Sequence, residues 1–174
     1  LEDIVMRIPA FITALALVAT PALAAVTAPR VKTQSFEQLA KPLPLPYDEA
    51  ASGPATVDKA RARARASGKL LLIDLGGNWC LDCRILAGTT ELPEVKAWVK
   101  RHYELVTVDV GRFDKNLDVP ARYGLKDRLK GVPSLLVVDP KTDKLLNAGN
   151  TAALADARSM NPQGLADYLA KWAR

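Results

Sequence analysis

The chain holds two cysteines and one histidine in 174 residues. The cysteines fall together, in Trp79-Cys80-Leu81-Asp82-Cys83. A disulfide between them closes so small a loop that chain entropy stabilises the fold by only about 1.9 kcal/mol, and it joins no distant segments. A structural staple is therefore a weak reading. A metal site needs three or four ligands, and the one histidine, His102, falls at the end of a different predicted helix. Thiol–disulfide redox chemistry is the reading the spacing favours, with a staple and a metal pair as the alternatives.

Such a pair needs elements to hold it. Leu70 to Leu75 reads Leu-Leu-Leu-Ile-Asp-Leu, an apolar run with β character that predicts a buried strand. Gly76-Gly77-Asn78 predicts a turn, and Cys80 to about Ala87 a helix. A cysteine at a helix N-terminus faces free backbone N–H groups and the positive end of the helix dipole. Both stabilise the thiolate, which is the nucleophile. Cys83, one turn on, is then placed to attack a mixed disulfide at Cys80 and release the product. Trp79 shields one side of the pair, or belongs to the core, or both.

The remaining pattern predicts an α/β layering, with helices on a central sheet. Helices are expected over Val57–Ser67, from Pro93, over Asp118–Tyr123 and from Asn161, which caps a helix with Pro162 at its first position. In that last helix Leu165, Tyr168, Leu169 and Trp172 form an apolar stripe. Strands are expected over Glu104–Val110, Ser134–Val138 and, at an edge, Lys144–Asn147. Thr151–Arg158 predicts a helical turn or two. Arg61, Arg63 and Arg65 lie on the first helix without interleaved aromatics, which favours a solvated face over a nucleic-acid patch.

Composition bounds the rest. Hydrophobic residues make up 49% and charged residues 25% of the chain, which excludes disorder throughout and a multi-pass membrane protein. The net charge of +5 names no partner by itself. Near the start, Met6-Arg7, an apolar run from Ile8 to Ala19, Pro21 and Ala22-Leu23-Ala24 follow the three-part layout of a secretion signal. The expectation is cleavage after Ala24, with an uncleaved membrane anchor as the alternative. Leu1–Val5, carrying Glu2 and Asp3, read as lying outside the native signal. Residues 25–56 are rich in turn formers, and Pro42-Leu43-Pro44-Leu45-Pro46 favours an extended polyproline conformation. This segment is expected to be an arm or linker that tethers the domain or packs along it. Residues 57–174 form the expected domain.

Taken together, the stretch LLLIDLGGNWCLDC (70–83), with LVTVDV (105–110), ARYG (121–124), GVPS (131–134) and LLVVDP (135–140), resembles the thioredoxin superfamily. Within it, the chain looks most like secreted bacterial thioredoxin-like proteins of the disulfide isomerase or reductase kind. The resemblance implies a thioredoxin fold, a central mixed β-sheet flanked by helices, here with an N-terminal Pro-rich arm. It implies Cys80 as the attacking cysteine and Cys83 as the resolving one. Asp74 matches the buried acid that exchanges a proton with Cys83, the alternative being a carboxylate hydrogen-bonded at a strand end. Pro133 matches the cis-proline facing the pair. Val132 before it would offer its backbone to an extended substrate, and Trp79 would flank that substrate; an ordinary trans turn is the alternative.

The chain also departs from the family pattern. Leu105 falls where a lysine often accompanies the buried acid. Leu125–Lys130 lengthens the loop before Gly131 and adds Lys126, Arg128 and Lys130 near the substrate groove, as a partner-selecting or merely solvated loop. Leu81 and Asp82 occupy the tuning positions between the cysteines. Asp82 should disfavour the Cys80 thiolate, with Arg84 as a partial offset, and a less stabilised thiolate means a lower potential. The expected function is thiol–disulfide exchange with protein thiols and disulfides in a periplasmic or otherwise secreted setting. It would lean to reduction or isomerisation and be supplied by an upstream redox partner. No cofactor is expected beyond the Cys80–Cys83 disulfide, no metal and no nucleic acid, and a membrane only if the signal stays uncleaved. The competing class is a redox-inert binding or chaperone module of the same fold.

Overall fold

A computed structural model describes residues 26–174; the signal reading of residues 1–24 lies outside them. In chain order the elements are α1 (Gly53–Ser67), β1 (Leu70–Gly76), α2 (Leu81–Thr90), α3 (Pro93–His102), β2 (Tyr103–Asp109), α4 (Asp118–Arg122), β3 (Ser134–Asp139), β4 (Lys144–Leu145) and α5 (Pro162–Ala170). Short 3-10 turns stand at Phe36–Gln38 and Ala157–Ser159. The strands order as β2-β1-β3-β4. β1 runs parallel to β2 and antiparallel to β3, and β3 is antiparallel to β4. This is the mixed sheet expected of a thioredoxin fold.

β1 is buried along its whole length, because alternate side chains point to opposite faces of a sheet covered on both sides. Leu70 and Leu72 join a core with α2, α3 and α5, centred on Trp98, Leu135 and Leu165. Leu71, Ile73 and Leu75 join the other core, with Val57, Ala60 and Ala64 of α1. Small alanines let α1 lie close to the sheet. On its outer side Arg61 pairs with Asp143 and Arg63 with Glu104, so these two arginines serve surface ion pairs.

The Pro-rich arm packs along the domain. Val31, Leu39, Leu43 and Tyr47 are buried in the cores, and Leu43, exposed Leu45 and Tyr47 alternate as extended chain should. Proline brings no N–H to satisfy, so the segment needs partners mainly for its carbonyls. Arg84 donates to the Leu43 and Pro44 carbonyls and Thr107 to that of Pro46. Farther up the arm, Trp98 Nε1 donates to the Thr27 carbonyl and the Val31 N–H donates to Gln163.

Most strand and helix ends differ from the sequence reading by a residue, α2 runs on to Thr90, and two further differences have a plain cause. α1 begins at Gly53 rather than Val57, because Pro54 sits in the first turn, where its missing N–H costs nothing. β4 stops at Leu145 rather than Asn147. There the buried Asn147 side chain replaces backbone pairing: its Oδ1 accepts from Val137 N–H at 2.9 Å and its Nδ2 donates to the Leu135 carbonyl at 2.8 Å. The 151–158 segment is built of turns ending in the 3-10 turn.

Candidate active site

β1 delivers the chain to Gly76, the Gly77–Cys80 turn follows, and α2 starts at Leu81. Cys80 is the N-cap of α2, and its sulfur accepts the Cys83 backbone N–H at 3.2 Å. The two cysteines are joined as a disulfide, with their Cα atoms 5.3 Å apart. Cys80 keeps 5% of its surface exposed and Cys83 none, so an incoming group reaches Cys80 first. Its sulfur lies 3.4 Å from the Val132 carbonyl oxygen. The Val132–Pro133 peptide bond is cis, as is Lys41–Pro42.

Trp79 stands at the rim rather than in the core, 42% exposed. Its Nε1 donates to the Gly111 carbonyl at 2.8 Å, and the Arg112 guanidinium lies 4.2 Å over its ring. Phe113 meets the same ring edge-on, and Arg128 of the lengthened loop lies 4.3 Å over Phe113. Leu129 is buried, whereas Lys126 and Lys130 are exposed. That loop is thus partly packed, not simply solvated. Leu81 and Met160 add exposed apolar surface.

Asp74 is buried on β1. Burial raises its carboxyl to about 7, and a hydrogen bond from Tyr47 works in the opposite direction. The Tyr47 hydroxyl donates to Asp74 Oδ1 at 3.0 Å. Asp74 also lines a cavity of about 250 Å³ with Pro44, Pro46, Leu105 and Thr107. Leu105 shares that cavity, opposite Leu72 in the sheet while Thr107 stands opposite Asp74, and brings the acid no polar partner. The partner comes instead from the arm.

Asp82 and Arg84 differ from the sequence reading. The Asp82 side chain is buried and accepts from the Arg158 backbone N–H at 2.9 Å, from Arg158 Nε at 3.1 Å and from its terminal nitrogen. Burial works to raise the Asp82 carboxyl, and the contacts with Arg158 outweigh it and hold it below the usual carboxylate range. Arg84 is engaged with the arm carbonyls, so the offset assigned to it belongs to Arg158. The pair is 76 residues apart in sequence, and no local pattern announces it. His102 lies against Trp98, on α3. Among the described residues no cluster of metal-ligating side chains occurs.

Sheet order, strand–turn–helix placement of the cysteines and the Pro133 turn beside them define the thioredoxin class. A thioredoxin-like family model matches residues 53–140, and the chain belongs to that family. It is 36% identical over 94 residues to the thiol:disulfide interchange protein DsbD 1 of Pseudomonas aeruginosa. That match takes in 52% of this chain and only 15% of the relative's length. The crystal structure of a disulphide isomerase from Xylella fastidiosa Temecula1 is 38% identical, with a TM-score of 0.68, over 74% of this chain and 97% of that one.

Proposed function

We propose that this protein is a thiol–disulfide oxidoreductase that exchanges disulfides with extracytoplasmic proteins, in the reducing or isomerising direction. The observation that carries the reading is the asymmetry of the pair: an N-capping Cys80 that keeps 5% of its surface exposed and a fully buried Cys83 behind it. In the reduced protein, the Cys80 thiolate attacks a substrate disulfide, forming a mixed disulfide and expelling one substrate thiolate. Cys83 then loses its proton to Asp74 and attacks the Cys80 sulfur. The Cys80–Cys83 disulfide forms, the second substrate thiolate leaves, and two electrons have passed to the substrate. An upstream dithiol must return them; no cofactor beyond the disulfide is required.

The exposed Trp79, Leu81 and Met160 suit an unfolded or extended peptide as substrate. Thiolate stabilisation at Cys80 rests on the N-terminus of α2, since Asp82 and Arg158 neutralise one another. Without a free cation between the cysteines the thiolate is only moderately favoured, which supports the reducing side. The signal-like pattern of residues 6–24 supports a place outside the cytoplasm, where a disulfide can persist. Among the described residues no helix is long and apolar enough to cross a membrane.

Trapping tests this reading. The Cys83→Ala protein, mixed with a disulfide-bonded model protein, should accumulate a mixed disulfide at Cys80, and Cys80→Ala should accumulate none. Absence of an adduct in both would favour a redox-inert binding module.

A further inference from the structure

The arm residue Tyr47 is buried, though it belongs to a segment that looked like a linker. Its backbone is clamped to the turn that carries the cysteines: Asn78 Nδ2 donates to the Tyr47 carbonyl at 2.8 Å, and Asn78 Oδ1 accepts the Tyr47 N–H at 3.1 Å. Pro46, one residue earlier, is held by Thr107. These contacts fix the ring, and its hydroxyl donates to Asp74. Gly76 shows how close the group stands to the chemistry. A Cβ there would collide with both the Tyr47 hydroxyl and Cys83 Sγ, so both crowd the same bare stretch of backbone.

We propose that Tyr47 is a positioning residue for the resolving step, its phenol orienting the Asp74 carboxylate toward Cys83 and holding it ready to take the thiol proton. This rests on the exchange reading above and extends it to the arm. The thiol proton of Cys83 passes to Asp74, the Cys83 sulfur attacks Cys80 Sγ, and the substrate sulfur leaves and is protonated by water. Tyr47 itself exchanges nothing. Burial first, then the neighbouring Asp74 charge, keep the phenol protonated through the working pH range. It thus remains a donor whenever Asp74 is ionised. A hydrogen bond donated to the carboxylate favours its charged form, so the phenol offsets part of the cost of burial. The other titratable groups around the pair are Cys83 on α2, Asp109 at the end of β2 with Lys115 near it, and Glu91 on the cavity wall.

The test is Tyr47→Phe, which keeps the ring and removes the donor. The Asp74 carboxyl, followed by carbon NMR, should titrate about one pH unit higher, since its charged form loses a hydrogen bond. Release of a mixed disulfide from Cys80 should slow about fivefold at pH 7 and recover at higher pH. In an Asp74→Asn background the same substitution should leave the rate unchanged. Should Tyr47→Phe fold poorly, 3-fluorotyrosine at position 47, a stronger donor, should move Asp74 downward. An Asp74 titration unmoved by either replacement overturns the proposal. If the Cys83→Ala protein traps no mixed disulfide, the exchange reading fails, while the NMR titration still decides whether Tyr47 governs Asp74.

Discussion

Asp74 carries a carboxyl into a layer where β1 is otherwise leucine, isoleucine and glycine, and stability should register the cost. Its folded value of about 7 lies above the unfolded value of 3.8, chiefly through burial. Between those values the native state holds a proton that the unfolded chain has lost. Stability therefore falls as pH rises through that window. Above it the ionised group costs roughly 4 kcal/mol, by order of magnitude. Asp74→Asn, which still offers an oxygen to Tyr47, should raise the urea midpoint of the oxidised protein at pH 8, with the gain vanishing toward pH 4. A gain independent of pH would contradict the assignment. Asp74 was legible because a lone acid interrupts an apolar strand six residues before a cysteine. Tyr47 was not, because nothing near it in sequence says what its hydroxyl meets. Asp82 was legible as a charge and misjudged in its surroundings, since its partner, Arg158, lies far along the chain.

The helix that presents Cys80 is held by parts that sequence periodicity does not describe. Arg84 fastens its first turn to the arm, and Asp82 fastens it to the segment before α5. The second link predicts a coupled effect. Arg158→Gln leaves the buried Asp82 carboxylate with the position-158 backbone N–H but without its cation. The guanidinium is 57% exposed, so solvent screening keeps the loss of stability small. The same uncompensated charge should disfavour the Cys80 thiolate and make the pair more reducing. Denaturant unfolding of the oxidised protein and equilibration against thiol buffers would measure both; a potential that rises instead would remove Asp82 from the tuning of Cys80. Elements with strong local signals were readable: α5 from Asn161-Pro162, β1 from its apolar run. The sequence understates α1 because Gly53-Pro54 reads as a breaker, whereas a proline fits the first turn of a helix. β4 was lengthened because Asn147 pairs through its side chain, which strand patterning does not anticipate.

Across the protein, the site lies at the end of the internal strand β1, where the half-exposed Trp79 and Cys80, which keeps 5% of its surface exposed, stand before the fully buried Cys83. The family match covers residues 53–140, so it leaves out both Tyr47 and Arg158. The side chains that meet Asp74 and Asp82 thus come from outside the matched stretch. The fold and the strand–turn–helix placement of the cysteines were legible because they rest on local spacing. The packing of residues 26–52 was not, because an extended Pro-rich segment carries no periodicity that names its neighbour. The reduction potential of the Cys80–Cys83 pair, equilibrated in defined thiol buffers and read by Trp79 fluorescence, bears most directly on the whole account. A reversible two-electron couple near or below about −230 mV is predicted, the range of dithiols that must be recharged by an upstream donor. A value near about −120 mV, that of a strong oxidant, or a pair that does not interconvert, would contradict it.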